Sequence, residues 1–118
     1  MKKTNFTVIN SRTQEIIVQN LWIADTFFSR FMGLMGSDLL EAKQGLLISP
    51  CKQIHTHFMG YTVDVIFLDD RYQVVQIVNE MKPWGFTKYF KNASHVLELT
   101  ENQGKNIHIG DTLIINKP

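Results

Sequence analysis

Apolar and polar positions alternate along most of the chain with a period near two, and one stretch breaks to a helical period. Residues 5–10 (NFTVIN) and 15–19 (EIIVQ) are rich in β-branched side chains, and the polar run Ser11-Arg12-Thr13-Gln14 separates them. This pattern predicts an antiparallel hairpin. From residue 26 the period lengthens. Phe27, Phe28, Phe31, Met32 and Met35 recur at helical spacing after Asp25 or Thr26, either of which can act as N-cap. Gly33 and Gly36 suit the end of such an element, because glycine accepts the left-handed conformation found there. One short amphipathic helix near residues 26–34 is predicted, with its aromatic and methionine stripe packed on a sheet.

The shorter period returns at Gly45-Leu46-Leu47-Ile48, a buried strand stopped by Pro50, which has no amide hydrogen to give a ladder. Further strands are predicted at 54–59, 63–68 (VDVIFL), 72–79 (YQVVQIVN), 95–100 (HVLELT) and 112–115. Gly60-Tyr61-Thr62 and Asp69-Asp70-Arg71 read as tight connections. Sequential hairpins argue against alternating βαβ units. The expected fold is mostly β: a compact antiparallel β-sandwich or partly closed barrel of about eight short strands with one helix.

Composition narrows this picture. A chain of 118 residues makes a single domain, and 19% charged residues excludes a charge-rich disordered polymer. A formal net charge of +1 favours neither nucleic acid nor an acidic membrane surface as partner. The single cysteine cannot form an intramolecular disulfide and fits a reducing compartment. MKKTNFTVIN lacks the apolar run of a signal peptide, and no segment reaches the roughly 20 apolar residues that span a bilayer. A soluble, cytoplasmic protein is expected.

The chemistry concentrates in residues 51–70, CKQIHTHFMGYTVDVIFLDD. On a strand, His55, His57 and Met59 share one face. With Cys51 just before them, His55 and His57 are candidate ligands for zinc or another transition metal, although C-x3-H-x-H matches no established zinc spacing. Cys51 could also act as a nucleophile beside a histidine, but a lowered thiol pKa needs a helix N-terminus or a cationic neighbour, and only Lys52 is visible. Asp64 and Glu98 each stand within an apolar strand, where a carboxylate must be paired or protonated; Arg30 is a candidate partner. The segment 82–91, KPWGFTKYFK, interleaves lysines with Trp84, Phe86, Tyr89 and Phe90 and reads as a loop capping one end of the fold. No glycine-rich phosphate loop, nucleophile elbow or paired CxxC supports an enzyme class.

Taken together, Ala24 with Arg30, Gly33-Leu34-Met35-Gly36, Gly45-Leu46-Leu47, Cys51, Ile54-His55-Thr56 and Phe58-Met59 form a recognisable set. Asp64 to Asp69, Pro83-Trp84, Val96-Leu97-Glu98-Leu99 and Gly110-Asp111 continue it. The chain resembles the uncharacterised family called domain of unknown function 192 over about residues 24–113. The resemblance implies a compact β-sandwich-like domain with a short helix and no established activity. It also implies a shared site at Arg30, His55, Met59, Asp64 and Glu98. Two departures stand out: Tyr61-Thr62-Val63 replaces an apolar-proline pair before the aspartate, and His57 replaces an aromatic residue. The expected function is a small binding or accessory module rather than an enzyme. Its polar site, for an unknown small ligand or protein, is built from a 51–64 hairpin and roofed by 82–91, with Trp84 as a further ligand contact. No resident cofactor is expected on this reading. The alternatives are a metal-binding protein or metal-assisted hydrolase using Cys51, His55 and His57, and a protein–protein module contacting through 82–91.

Overall fold

The computed structural model describes residues 2–25, 40–56 and 61–118. The helix expected near 26–34 falls outside them, as do Arg30, His57 and Met59. Nine strands form among the described residues. They are β1 (Lys2–Lys3), β2 (Thr7–Asn10), β3 (Ile16–Val18), β4 (Asn20–Ala24), β5 (Gln44–Ile48), β6 (Val63–Leu68), β7 (Val74–Met81), β8 (His95–Thr100) and β9 (Leu113–Asn116). A six-stranded sheet runs in the order β1-β4-β5-β8-β6-β7, and a three-stranded sheet in the order β3-β2-β9. The expected sandwich is therefore present, and the barrel option is not: these are two separate sheets. One pairing departs from the antiparallel expectation, since β4 and β5 are parallel. Parallel neighbours require a long connection, and here it is the segment between Ala24 and Gln44.

β6 and β8 lie inside the large sheet, each bonded on both sides, and all six residues of β6 are buried. Alternation sends Val63, Val65 and Phe67 to one face with Leu46, Ile48 and Val96. It sends Ile66 and Leu68 to the other, where they meet Leu47, Leu97 and the small sheet's Val8, Val18 and Leu113. Gly45 permits this second contact: a Cβ there would come within 2.9 Å of Val18 Cγ2. An ionic clamp closes the small sheet. Arg12 Nε donates to Asp111 Oδ1 at 2.7 Å, while Asn10 Nδ2 and the His108 amide donate to Asp111 Oδ2 at 2.9 and 2.8 Å.

The strand expected at 54–59 does not form over its described part. Residues 52–56 run instead beside the aromatic segment. The amides of Thr56, Trp84, Thr87 and Phe90 donate to the carbonyls of Gly85, Thr56, Ile54 and Lys52. The 51–64 hairpin is thus corrected, because β6 pairs with β7 and β8. The cause is compositional. An entirely apolar strand such as 63–68 is stable only with both faces covered, whereas the polar residues around Ile54 satisfy one another through side chains. Thr87 Oγ1 accepts from the Ile54 amide at 3.0 Å, and Thr56 Oγ1 donates to Lys82 O at 2.7 Å.

Candidate functional site

The two strand carboxylates occupy adjacent strands but opposite faces of the large sheet. Val65 is the register partner of Glu98, and Asp64 of Leu99. Asp64 therefore points between the sheets while Glu98 points to the outer cluster, and the structure does not bring them together. No acid–base pair can form across the sheet.

Asp64 is 1% exposed and fully employed. The ladder between β6 and β7 slips between Val63 and Val65, and Glu80, on the bulged side, has φ 55°. Its amide, displaced from the ladder, donates to Asp64 Oδ1 at 2.9 Å. The Gly104 amide donates to Oδ2 at 3.0 Å, and a Cβ at Gly104 would lie 3.2 Å from the same oxygen. Asp64 braces a bulge and a loop.

Glu98 is the opposite case. It is 3% exposed, and its Oε2 has no hydrogen-bond partner among the described residues. Burial pushes its carboxyl up to about 8, so it is protonated at neutral pH. Register places Trp22 opposite Leu46, Leu46 opposite Glu98 and Glu98 opposite Val65. Trp22 Nε1 is likewise buried without a partner among the described residues. Two unsatisfied polar groups thus stand on one cross-strand row, their backbones about 10 Å apart by strand spacing. Tyr61 adjoins them. Burial raises its phenol, against a lowering by the Leu40 amide, which donates to its oxygen at 3.3 Å; Glu98 adds a smaller raising effect.

The other expected residues lie at the margin of this face. Phe90 packs edge-on against Phe67, with ring centroids 4.7 Å apart, and anchors the aromatic segment to the outer cluster. Trp84, Phe86 and Tyr89 are exposed, at 63%, 74% and 63%. His55 is exposed and bridges to Phe86. The Cys51 thiol donates to Gln53 O at 3.2 Å. Among the described residues no three histidine, cysteine or carboxylate groups gather as a metal site. Trp22 and Tyr61 are the site residues that sequence reasoning missed. The alternation of Leu21 and Ile23 against Trp22 was the available signal for the first. No helix among the described residues is long and apolar enough to cross a membrane.

These features define a small two-sheet β domain whose outer face carries a buried, unsatisfied polar row. The chain belongs to the DUF192 family, described as an uncharacterized ACR, whose profile matches residues 7–115. A UPF0127 protein of Thermococcus sibiricus is 35% identical over 95 residues, covering 77% of this chain and 61% of that protein's length. A UPF0127 protein of Pyrococcus horikoshii is 34% identical over 79 residues, covering 64% of this chain and 68% of its own. A crystal structure of a protein of unknown function from Novosphingobium aromaticivorans superposes with a TM-score of 0.80 at 18% identity. That match covers 95% of this chain and 84% of the other, and it shows the shared fold.

Proposed function

We propose that this domain is a binding module that takes a small uncharged polar ligand on the Glu98 face. The carrying observation is the Glu98 carboxyl, buried among apolar side chains with Oε2 unpartnered. Buried polar groups in folded proteins are almost always hydrogen-bonded, and each exception needs a reason. A neutral carboxyl offers one donor and one acceptor, and the Trp22 indole offers a second donor. A ligand bonding to this row would recover the cost of leaving these groups dry, on the order of 1–3 kcal/mol each. The segments 51–56 and 82–91 flank the face and supply its rim.

The test is an NMR screen of neutral amide and alcohol fragments that follows the Trp22 indole N–H, assigned with Trp84→Phe. Fragments that bind are expected to move that signal and to lose affinity in Glu98→Leu. Fragments that bind equally well to Glu98→Leu and leave the signal in place would overturn the proposal.

A separate observation favours a second reading. Trp84, Phe86 and Tyr89 are exposed in a segment that carries three lysines and no carboxylate. Such a surface suits an acidic protein partner. Strictly monomeric elution, with no partner retained on the immobilised protein, would count against it.

A further inference from the structure

We propose that the cleft at one end of the sandwich is a second binding site, for a small organic acid with an apolar body, its carboxylate held by His95 Nε2–H and Arg71, with Ser49 fixing the imidazole. The cleft lies between the two sheets, on the side of the large sheet away from Glu98, and its volume of about 600 Å³ suits a small molecule. The inference is therefore independent of the Glu98 reading.

The site follows from register. Ile48 pairs with Val96, so the next residues along, Ser49 and His95, face each other where the sheet ends. Alternation turns both toward the inter-sheet side, as it does Leu47 and Leu97. Ser49 Oγ lies 2.5 Å from His95 Nδ1. Burial lowers the imidazole below its ordinary value, so the ring is neutral at neutral pH. With the Ser49 hydroxyl donating to Nδ1, the ring proton sits on Nε2, where it can be donated to a ligand. Tyr72 stacks on the imidazole, with centroids 4.6 Å apart and planes 15° from parallel. Its backbone sits at φ 61°, a conformation aromatic residues avoid. The Leu113 amide, donating to Tyr72 O at 2.9 Å, fastens it there. A hydroxyl, an oriented imidazole and a strained aromatic residue converge at one end of the cleft. Local strain of this kind accumulates at functional positions.

The remaining walls set the ligand class. Phe6, Leu47 and Leu113 provide apolar surface from both sheets for a hydrocarbon body. Arg71 and Lys117 line the mouth, opposed by Asp25. Asp25 follows Ala24, the partner of Ile48, and so adjoins Ser49 on the side away from His95. Asp69, beside Arg71, is engaged by the amides of Arg71 and Gln73, both at 2.9 Å. Asp69 and Asp70 both act on His95, so the charge that selects an anion is the Arg71 guanidinium, whose fork matches a carboxylate, and the neutral imidazole adds one N–H donor.

The experiment titrates the protein at neutral pH with hydrocinnamate, with hydrocinnamyl alcohol as the neutral analogue and acetate as the head alone, followed by amide-resolved NMR. Hydrocinnamate is expected to bind saturably, shifting His95, Tyr72 and Leu47. The alcohol and acetate should bind at least about tenfold more weakly, the scale of one charge-assisted hydrogen bond. Arg71→Ala, at an exposed turn position, should weaken hydrocinnamate about tenfold and leave the alcohol unchanged. Affinities are read at His95, Tyr72 and Leu47 alone, because a neutral alcohol is also a candidate for the Glu98 face. No binding of hydrocinnamate, equal binding of the alcohol, or full affinity in Arg71→Ala would each overturn the proposal.

Discussion

Replacing Glu98 with glutamine should make the protein more stable at neutral pH, by an amount set by the burial of one carboxyl. The ordinary value is 4.5, and in the folded protein burial pushes it up to about 8. Between these values the unfolded chain releases a proton that the folded chain retains, so stability falls as pH rises. The slope is about 1.4 kcal/mol per pH unit. The stability is intact below the unfolded value, is reduced by about 3 kcal/mol at pH 7 and by about 4 kcal/mol at pH 8, and the loss levels off near about 5 kcal/mol roughly one pH unit higher. Against a total of about 5–15 kcal/mol for a domain, that is a large fraction. Glutamine is close in shape to a protonated glutamate and cannot ionise. The variant minus wild-type difference should therefore sit at a constant offset below pH 4.5 and rise steadily toward pH 8. Urea unfolding of both proteins across this range, with midpoints converted through the measured m-values, gives the difference directly. Taking the difference cancels Asp111, whose carboxyl the Arg12 guanidinium holds below the usual carboxylate range; its contribution is present at neutral pH and lost in acid. A difference that stays flat between pH 5 and 8 would refute the reasoning, because Glu98 would then titrate alike in both states.

Two further substitutions test the packing. Asp64→Ala removes the acceptors of the Glu80 and Gly104 amides and should cost about 2–6 kcal/mol, or roughly 4 °C in Tm per kcal/mol. Asp64→Asn keeps one acceptor and should fall between the two, and an alanine variant melting within a few degrees of wild type would show that water replaces the carboxylate. Gly45→Ala forces a methyl group toward Val18 and should cost about 1–3 kcal/mol, part of it recovered by adding Val18→Ala. Strictly additive effects of these two substitutions on urea midpoints would contradict the close contact.

Period and punctuation located the central strands well. Val63–Leu68 and His95–Thr100 match the residues whose patterns announced them, because Gly60-Tyr61-Thr62 and Asp69-Asp70-Arg71 bound the first and the run HVLELT stands between Ser94 and Glu101. Asn20–Ala24 went unread as a strand. Its five residues lie directly before Asp25, whose strong N-cap character marks the start of a new element and masks the end of the strand before it. The parallel pairing of that strand with Gln44–Ile48 was not legible either, since it joins residues separated by a long connection and no local turn specifies it. The His55 segment looked like a strand because alternation cannot distinguish a ladder in a sheet from one strip of chain lying along another. Thr56 and Thr87, through their hydroxyls, decide that in space.

The two buried carboxylates show where sequence reasoning reaches its physical limit. Asp64 and Glu98 have the same local signature, an acid inside an apolar strand, and the same rule requires that each be partnered or neutral. What separates them lies elsewhere in the chain. Asp64 meets an amide freed by the bulge at Glu80, 16 residues on, and another at Gly104, 40 residues on. Both donors are backbone groups, so no side-chain type at either position advertises them. Glu98 differs by parity: on the neighbouring strand its partner is Val65, which turns its side chain to the face where no such amide waits among the described residues. A shift of that pairing by one residue would send Glu98 to the inter-sheet side, toward the donors that Asp64 uses. Register, a property of paired strands, thus makes one carboxylate part of the frame and leaves the other with an unfilled bonding capacity.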